Sequence, residues 1–282
     1  MNTSPRESAG ETNRRPIRKT TSPRHDPFGR DVGAISARNS SKGALLLEAH
    51  AVLRALSMGK DLAEVRSACL TGKLLRQSAR ETRRRIWQSL DWRYFAWNPP
   101  RWVLADLTEP AKGDSSDKAF TGLAYVHFAR RDRLTFDFVA DKLWPLWKSG
   151  VRDVRRADVT DFLAEVAKGQ TSNWRESTRA KLAGNVLSAL RDFGLLTGVQ
   201  RKKLQRPVIA PEVALHLCRL LDAEGLRGRA LLEARDWRLF LWDVHDTSQA
   251  LSQLAQRGEL RFERSGRTVI LEVPRHRLGE GR

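Results

Sequence analysis

From Ala44 onward the apolar positions of the chain recur with a helical period. Leu45, Leu46, Ala49, Val52, Leu53 and Leu56 form one stripe, closed by Met58-Gly59. A shorter helix is expected from Asp61, its N-cap, to Cys69. A third opens at Ser78-Ala-Arg-Glu81, read as a capping box, and runs to about Trp92. The Thr71-Gly72 turn between them makes a helix-turn-helix candidate. Asn98, with prolines in the first turn, is expected to cap a helix ending near Leu107, before a polar linker at Thr108–Asp117.

Residues 118–149 carry two aromatic-rich stripes: Phe120, Leu123, Ala124 and Phe128, then Leu134, Phe138, Val139, Leu143, Leu146 and Trp147. His127 reads as a satisfied histidine at the core edge, and Pro145 as the point where the second helix kinks or closes. Asp158 is expected to cap a helix through Ala167. Gly169 then turns the chain into a long helix from about Trp174 to Phe193, the better helix-turn-helix candidate. Gly194 suits a helix C-terminus, Gly198 a turn, and Lys202–Ile209 a strand-like basic run. Helices are expected at 211–223, 229–243 and 246–257. A hairpin around Ser265-Gly266 follows, giving the order of a winged helix.

The pattern predicts a mostly α protein of helix-turn-helix and winged-helix-like domains with small β-hairpin wings. The expected division is a disordered basic arm at 1–43, helical domains at 44–115 and 116–210, a winged-helix-like region at 211–276, and a tail at 277–282.

Charge changes the picture. The 282 residues hold 51 Lys+Arg against 33 Asp+Glu, a formal net charge of +18, which points to a polyanionic partner. Arg14, Arg15, Arg18, Lys19, Arg24, Arg30 and Arg38 in the N-terminal arm fit either an electrostatic tether or an inert extension. Two cysteines, Cys69 and Cys218, make neither a disulfide framework nor a metal cluster, and read as small buried hydrophobes. No apolar run is long enough for a membrane span and the N-terminus shows no secretory signal, so a soluble cytoplasmic protein is expected.

Two helix faces could meet nucleic acid. On the helix after Ser78, Arg80, Arg84 and Gln88 form an i, i+4, i+8 row with Arg85 beside it, suited to phosphate or base-edge contact or to plain solvation. Arg83 falls nearer the apolar side and is expected to snorkel or pair with an acid. On the 174–193 helix, Ser177, Lys181, Gly184, Ser188 and Arg191, with Asn185 at the edge, oppose the stripe Leu182, Val186, Leu190 and Phe193. Thr171, Ser172 and Ser177 near its start could offer hydroxyls and backbone N–H groups to a phosphate, Arg175 is expected to neutralise phosphate, and Thr178 is expected at the nucleic-acid surface. Arg201, Lys202, Lys203 and Arg206 would lie on an adjacent wing. Gln249, Ser252, Gln253 and Arg257 on the last helix suit base reading or a protein partner. Most of the nine tryptophans fit core packing, with Trp174 the one placed to stack on a base.

Catalysis finds little footing, and neither a cofactor nor a metal is expected. Asn98-Pro99-Pro100 resembles the loop of amino-methyltransferases, but Arg101 follows where an aromatic is required and no glycine-rich cofactor loop precedes it. Asp161, Glu165 and Lys168 resemble a nuclease triad but fit an i, i+4 charged face more simply.

One resemblance adds to this reading. The run His127-Phe-Ala-Arg-Arg-Asp-Arg-Leu-Thr-Phe-Asp-Phe-Val-Ala-Asp-Lys-Leu-Trp-Pro-Leu-Trp, then Asp161-Phe-Leu, Trp174-Arg-Glu-Ser-Thr-Arg-Ala-Lys-Leu and Leu190-Arg-Asp-Phe-Gly-Leu-Leu, resembles the BrxA family of BREX (bacteriophage exclusion) phage-defence systems over residues 44–275. The resemblance implies a small accessory protein of a defence island, encoded beside a DNA methyltransferase and an ATPase, which are possible partners; that it is non-catalytic is the expectation from the residues. It further implies binding to double-stranded DNA through helix-turn-helix-like parts. A structured-RNA-binding, antitermination-like role and a protein–protein assembly adaptor stand as alternatives. Some descriptions place the family at the inner membrane, which this sequence does not support.

Overall fold

The computed structural model describes residues 28–40, 42–166, 174–266 and 268–274. It is mostly helical, with two small antiparallel sheets. The axis of the fold is α5 (Lys118–Arg131), in which every residue from Phe120 to Arg131 except Thr121 is buried. A helix enclosed on every side must be wrapped by others. Here α1 (Leu46–Ser57), α3 (Arg80–Tyr94), α4 (Arg101–Thr108) and α10 (Pro211–Ala223) pack around it. Gly122 makes the closest approach: a Cβ there would stand 2.7 Å from Val213 Cγ2.

Local signals explain many boundaries. Asp61 caps α2 (Leu62–Thr71) in a reciprocal box with Glu64, and Gly72 ends it with φ +83°. The box expected at Ser78 does not form. Ala79 precedes α3 without a side-chain cap, and Glu81 turns to Arg84 and Arg85 instead. Asn98 sits in the left-handed region at φ +55° as a turn residue, and Pro100 is the residue before α4. Asp158 lies inside the first turn of α8 (Arg156–Val166), its carboxylate accepting from Arg155 N–H. After α6 (Arg133–Asp137) the helix widens into a π-turn at Phe138–Leu143 before α7 (Trp144–Lys148), which accommodates Pro145 and its missing N–H.

Residues 28–40, Lys42 and Gly43 correct the expectation of a disordered arm over that part of it. The described part is a strap across the helices, with Ile35 and Ala44 buried. Arg30 bonds Glu224 and Asp236 at 2.9 and 2.8 Å. Both acids also pair with Arg130, whose side chain is fully buried. Arg93, equally buried, donates to the carbonyls of Gly43 and Ala44 and to Asn39 Oδ1, each at 2.9 Å. Arg38 stacks over Trp92. These arginines hold the strap down, and residues 1–27 lie outside the described residues.

The central sheet has the order β1-β3-β2, with β1 (Asp153–Val154), β2 (Leu196–Thr197) and β3 (Lys202–Leu204) all antiparallel. Val154 pairs with Lys202, Asp153 and Thr197 with Lys203, and Leu196 with Leu204. Between β1 and β2 run α8 and α9 (Glu176–Asp192), and Gly194 ends α9 at φ +85°. The strand expected over Lys202–Ile209 stops at Leu204.

The stretch expected as one helix over 229–243 is α11 (Gly228–Leu232) and a 3-10 turn at Arg235–Phe240. Trp237 forces the break, because its indole N–H donates to Leu231 O at 2.9 Å while its ring stacks on Trp242. Then follow α12 (Val244–Gln256) and the hairpin of β4 (Arg261–Ser265) and β5 (Thr268–Glu272). Cys69 and Cys218 are buried, and burial pushes their thiols up to about 11 and about 12.

Candidate nucleic-acid interface

The segment Val151–Arg156 alternates, with Val154 buried and its neighbours Asp153 and Arg155 exposed. Val154 and Asp153 form β1, which pairs with β3 and so carries Arg155 and Arg156, at the start of α8, against the β2–β3 hairpin. The hairpin tip has one backbone solution. Gly198 takes φ +80°, and a Cβ there would lie 2.1 Å from Arg201 O. Lys202 Nζ donates back to Val199 O at 2.7 Å, pinning the tip.

Between these elements opens a cleft of about 710 Å³. Arg155 and Arg156 form one wall, Val199, Gln200, Arg201 and Lys202 the other, and Val154, Gly184 and Leu187 the floor. Asp153 is the acid on its rim. Among the described residues, none of the four cationic side chains forms an ion pair. A concave wall of one charge sign focuses potential, and guanidinium groups suit phosphate oxygens. Gly184 leaves the floor open: a methyl group there would approach the Arg156 guanidinium, nearest at Nη2, 3.6 Å away.

The predicted residues distribute unevenly around this cleft. On α9, Ser177 and Lys181 are exposed and Ser188 half-buried, on the stripe that passes through Gly184; Arg191 reaches Ser188 Oγ at 3.4 Å and pairs with Asp192. Arg175, exposed, immediately precedes α9, and Thr178 is half-buried in its first turn. Arg201 and Lys202 line the cleft, while Lys203, next on β3, projects to the opposite face. Thr171, Ser172, Lys168 and Gly169 lie outside the described residues.

Two expected contacts are engaged elsewhere. Asn185 donates to Asn39 O at 3.1 Å, so the strap covers that edge of α9. Arg206 makes a two-pronged bond to Asp246 at 2.8 and 2.9 Å and fastens the chain after β3 to α12. On α3, Arg80 and Gln88 are exposed, but Arg84 and Arg85 share Glu81, whose carboxyl is held down to about 2 by hydrogen bonds from Arg84 and then Arg85. None of the α3 residues lines the cleft. Arg83 pairs with no acid among the described residues: it donates to the carbonyls of Leu70, Gln77 and Ser78, clamping α2 to α3. Trp174 is half-buried and packs against the core.

Sequence reasoning missed Arg155, Arg156, Val199 and Gln200. The available signal was the alternation at Val151–Val154 leading into two adjacent arginines, which marks a strand feeding a helix start.

His127 proves to be more than a solitary core histidine. Its Nε2 lies 2.9 Å from Nε2 of His216, whose Nδ1 lies 2.8 Å from Asp106 Oδ2. Both rings are buried, and desolvation lowers both pKa values, that of His127 well below the usual histidine range. The chain joins α4, α5 and α10.

Among the described residues no helix is long and apolar enough to cross a membrane. The sequence profile of the BrxA family matches residues 35–220, about two thirds of the chain. It takes in the end of the strap, which the resemblance over 44–275 left out, and stops within α10. No curated protein matches the chain. The crystal structure of an uncharacterized protein from Magnetospirillum magneticum shares the fold, with a TM-score of 0.54, 18% identity, and coverage of 74% of this chain and 100% of that one.

Proposed function

This chain belongs to the BrxA family and is thus a protein of a BREX phage-defence system, and on that premise we propose that it binds duplex DNA, without catalysis, through the β1–α8–α9–β2–β3 unit. The observation that carries this reading is the cleft whose walls hold Arg155, Arg156, Arg201 and Lys202 with no ion-pair partner among the described residues. One DNA strand runs its phosphates between the start of α8 and the wing, while the stripe from Ser177 through Lys181 to Gly184 faces the groove. The order strand, helix, helix, hairpin, with the first strand beside the last, is that of a winged helix, in which the second helix reads the groove and the wing flanks it.

The test is a titration of the full chain against a labelled duplex of about 30 base pairs and an RNA hairpin of equal charge, from about 50 to 200 mM salt. Duplex binding should weaken with a slope of about −0.9 per phosphate neutralised. Replacing Arg155, Arg156, Arg201 and Lys202 together by alanine should flatten the slope by about 3 to 4 units. Preference for the hairpin would overturn the duplex reading in favour of structured RNA. Failure to bind either, with capture of another defence component that survives nuclease, would leave an assembly adaptor.

A further inference from the structure

The most exposed large apolar side chain on this wing is Val199, 74% exposed at the tip of the β2–β3 hairpin. A single exposed valine is ordinary on a protein surface. This one stands on a tip fixed from both sides, by the obligatory Gly198 turn and by the Lys202 hydrogen bond to Val199 O. It is followed by Gln200 and Arg201 on the same wall of the basic cleft. Val199 is an apolar knob followed by an amide and a guanidinium, and no side chain among the described residues covers it. It has the composition of a minor-groove wedge, in which cations read the groove and an apolar side chain enters between base steps and partly unstacks them.

We propose that Val199 is such a wedge: with the cleft on the phosphates, the tip Val199-Gln200-Arg201 enters the adjacent minor groove and bends the duplex at a deformable step. This rests on the duplex-binding reading and adds to it the groove, the contact residue and a source of sequence preference. A·T-rich segments with flexible pyrimidine–purine steps are the sites it favours, since they are narrow enough for Arg201 and cheap to unstack. Val199 adds no charge contact, so its contribution is independent of salt.

The experiment compares the full chain with Val199→Ser and Val199→Asp on duplexes differing only in a central A·T-rich or G·C-rich segment. Affinity, salt slope and end-to-end distance by fluorescence transfer are the readouts, with netropsin as a minor-groove competitor. The expected result is a shortened A·T-rich duplex, a roughly tenfold loss of affinity in Val199→Ser with the salt slope unchanged, and displacement by netropsin. Val199→Asp should bind still more weakly and leave the duplex straight. Both variants change an exposed tip and should fold normally. Salt-dependent binding that neither bends the duplex nor responds to netropsin or to Val199→Ser would overturn the wedge and leave the duplex reading standing. Absence of duplex binding by the unaltered chain would overturn both.

Discussion

His127 and His216 share one proton between facing Nε2 atoms 2.9 Å apart. Asp106 accepts from His216 Nδ1, which leaves His216 Nε2 as an acceptor and makes His127 Nε2–H the donor. His127 Nδ1 is then the bare nitrogen, and it has no hydrogen-bond partner. A second proton on either ring would place a charge inside the core close to Arg130, Arg131 and Arg219, which Asp106 opposes at His216.

Stability should therefore depend on pH. Both histidines titrate lower in the fold than in the unfolded chain, where the value is about 6.5. Between the two values the unfolded chain holds the extra protons. The stabilisation is complete above about pH 6.5 and is lost as pH falls below it, by up to about 1.4 kcal/mol per unit for each ring. Melting temperature followed from about pH 7.5 to 5 should drop, and His127→Gln, which keeps an N–H for His216 but cannot ionise, should flatten the curve. A parallel profile in the variant would refute the assignment.

Arg130 should be among the costliest residues to remove. Its side chain is fully buried between Glu224 and Asp236, which are 8% and 4% exposed. Arg130→Ala leaves the two carboxylates, among the described residues, to Arg30 and should destabilise the fold by about 3–5 kcal/mol in urea. Arg30→Ala, at a position 23% exposed, should cost about 1 kcal/mol because Arg130 still serves both acids. Equal losses from the two would contradict this hierarchy.

Gly184→Ala should separate stability from binding. The methyl group meets no atom closer than 3.6 Å, and removing a helical glycine should stabilise α9 by about 0.5–1 kcal/mol. The same methyl fills the cleft floor and should weaken duplex binding severalfold. A variant that binds as tightly as the unaltered chain would move the DNA path off Gly184.

The structure also explains which features could be read from sequence. Periodicity located α1, α9 and α10 because their buried stripes are apolar, and Gly72 and Gly194 marked helix ends because only glycine sits easily at positive φ. The strap was invisible because it is held by arginines reaching across the chain rather than by an apolar stripe. Arg93, Arg130 and Arg131 look like surface charge in a sequence and lie in the core. Asn185 had the spacing of a groove-facing residue, but nothing local announces that Asn39 lies over it. The wing was recognisable from its glycine and its basic run. The opposite wall was not, because β1 has two residues and leaves no period to detect.

The Arg30–Asp236 bond joins positions 206 residues apart. During synthesis Arg30 leaves the ribosome before Asp236, and the strap cannot lock until the intervening chain has followed. The strap's amino-terminal end is thus the latch of the folding sequence: α8 and α9 can pair with each other and with the wing while it is still open, and its closure waits for Asp236.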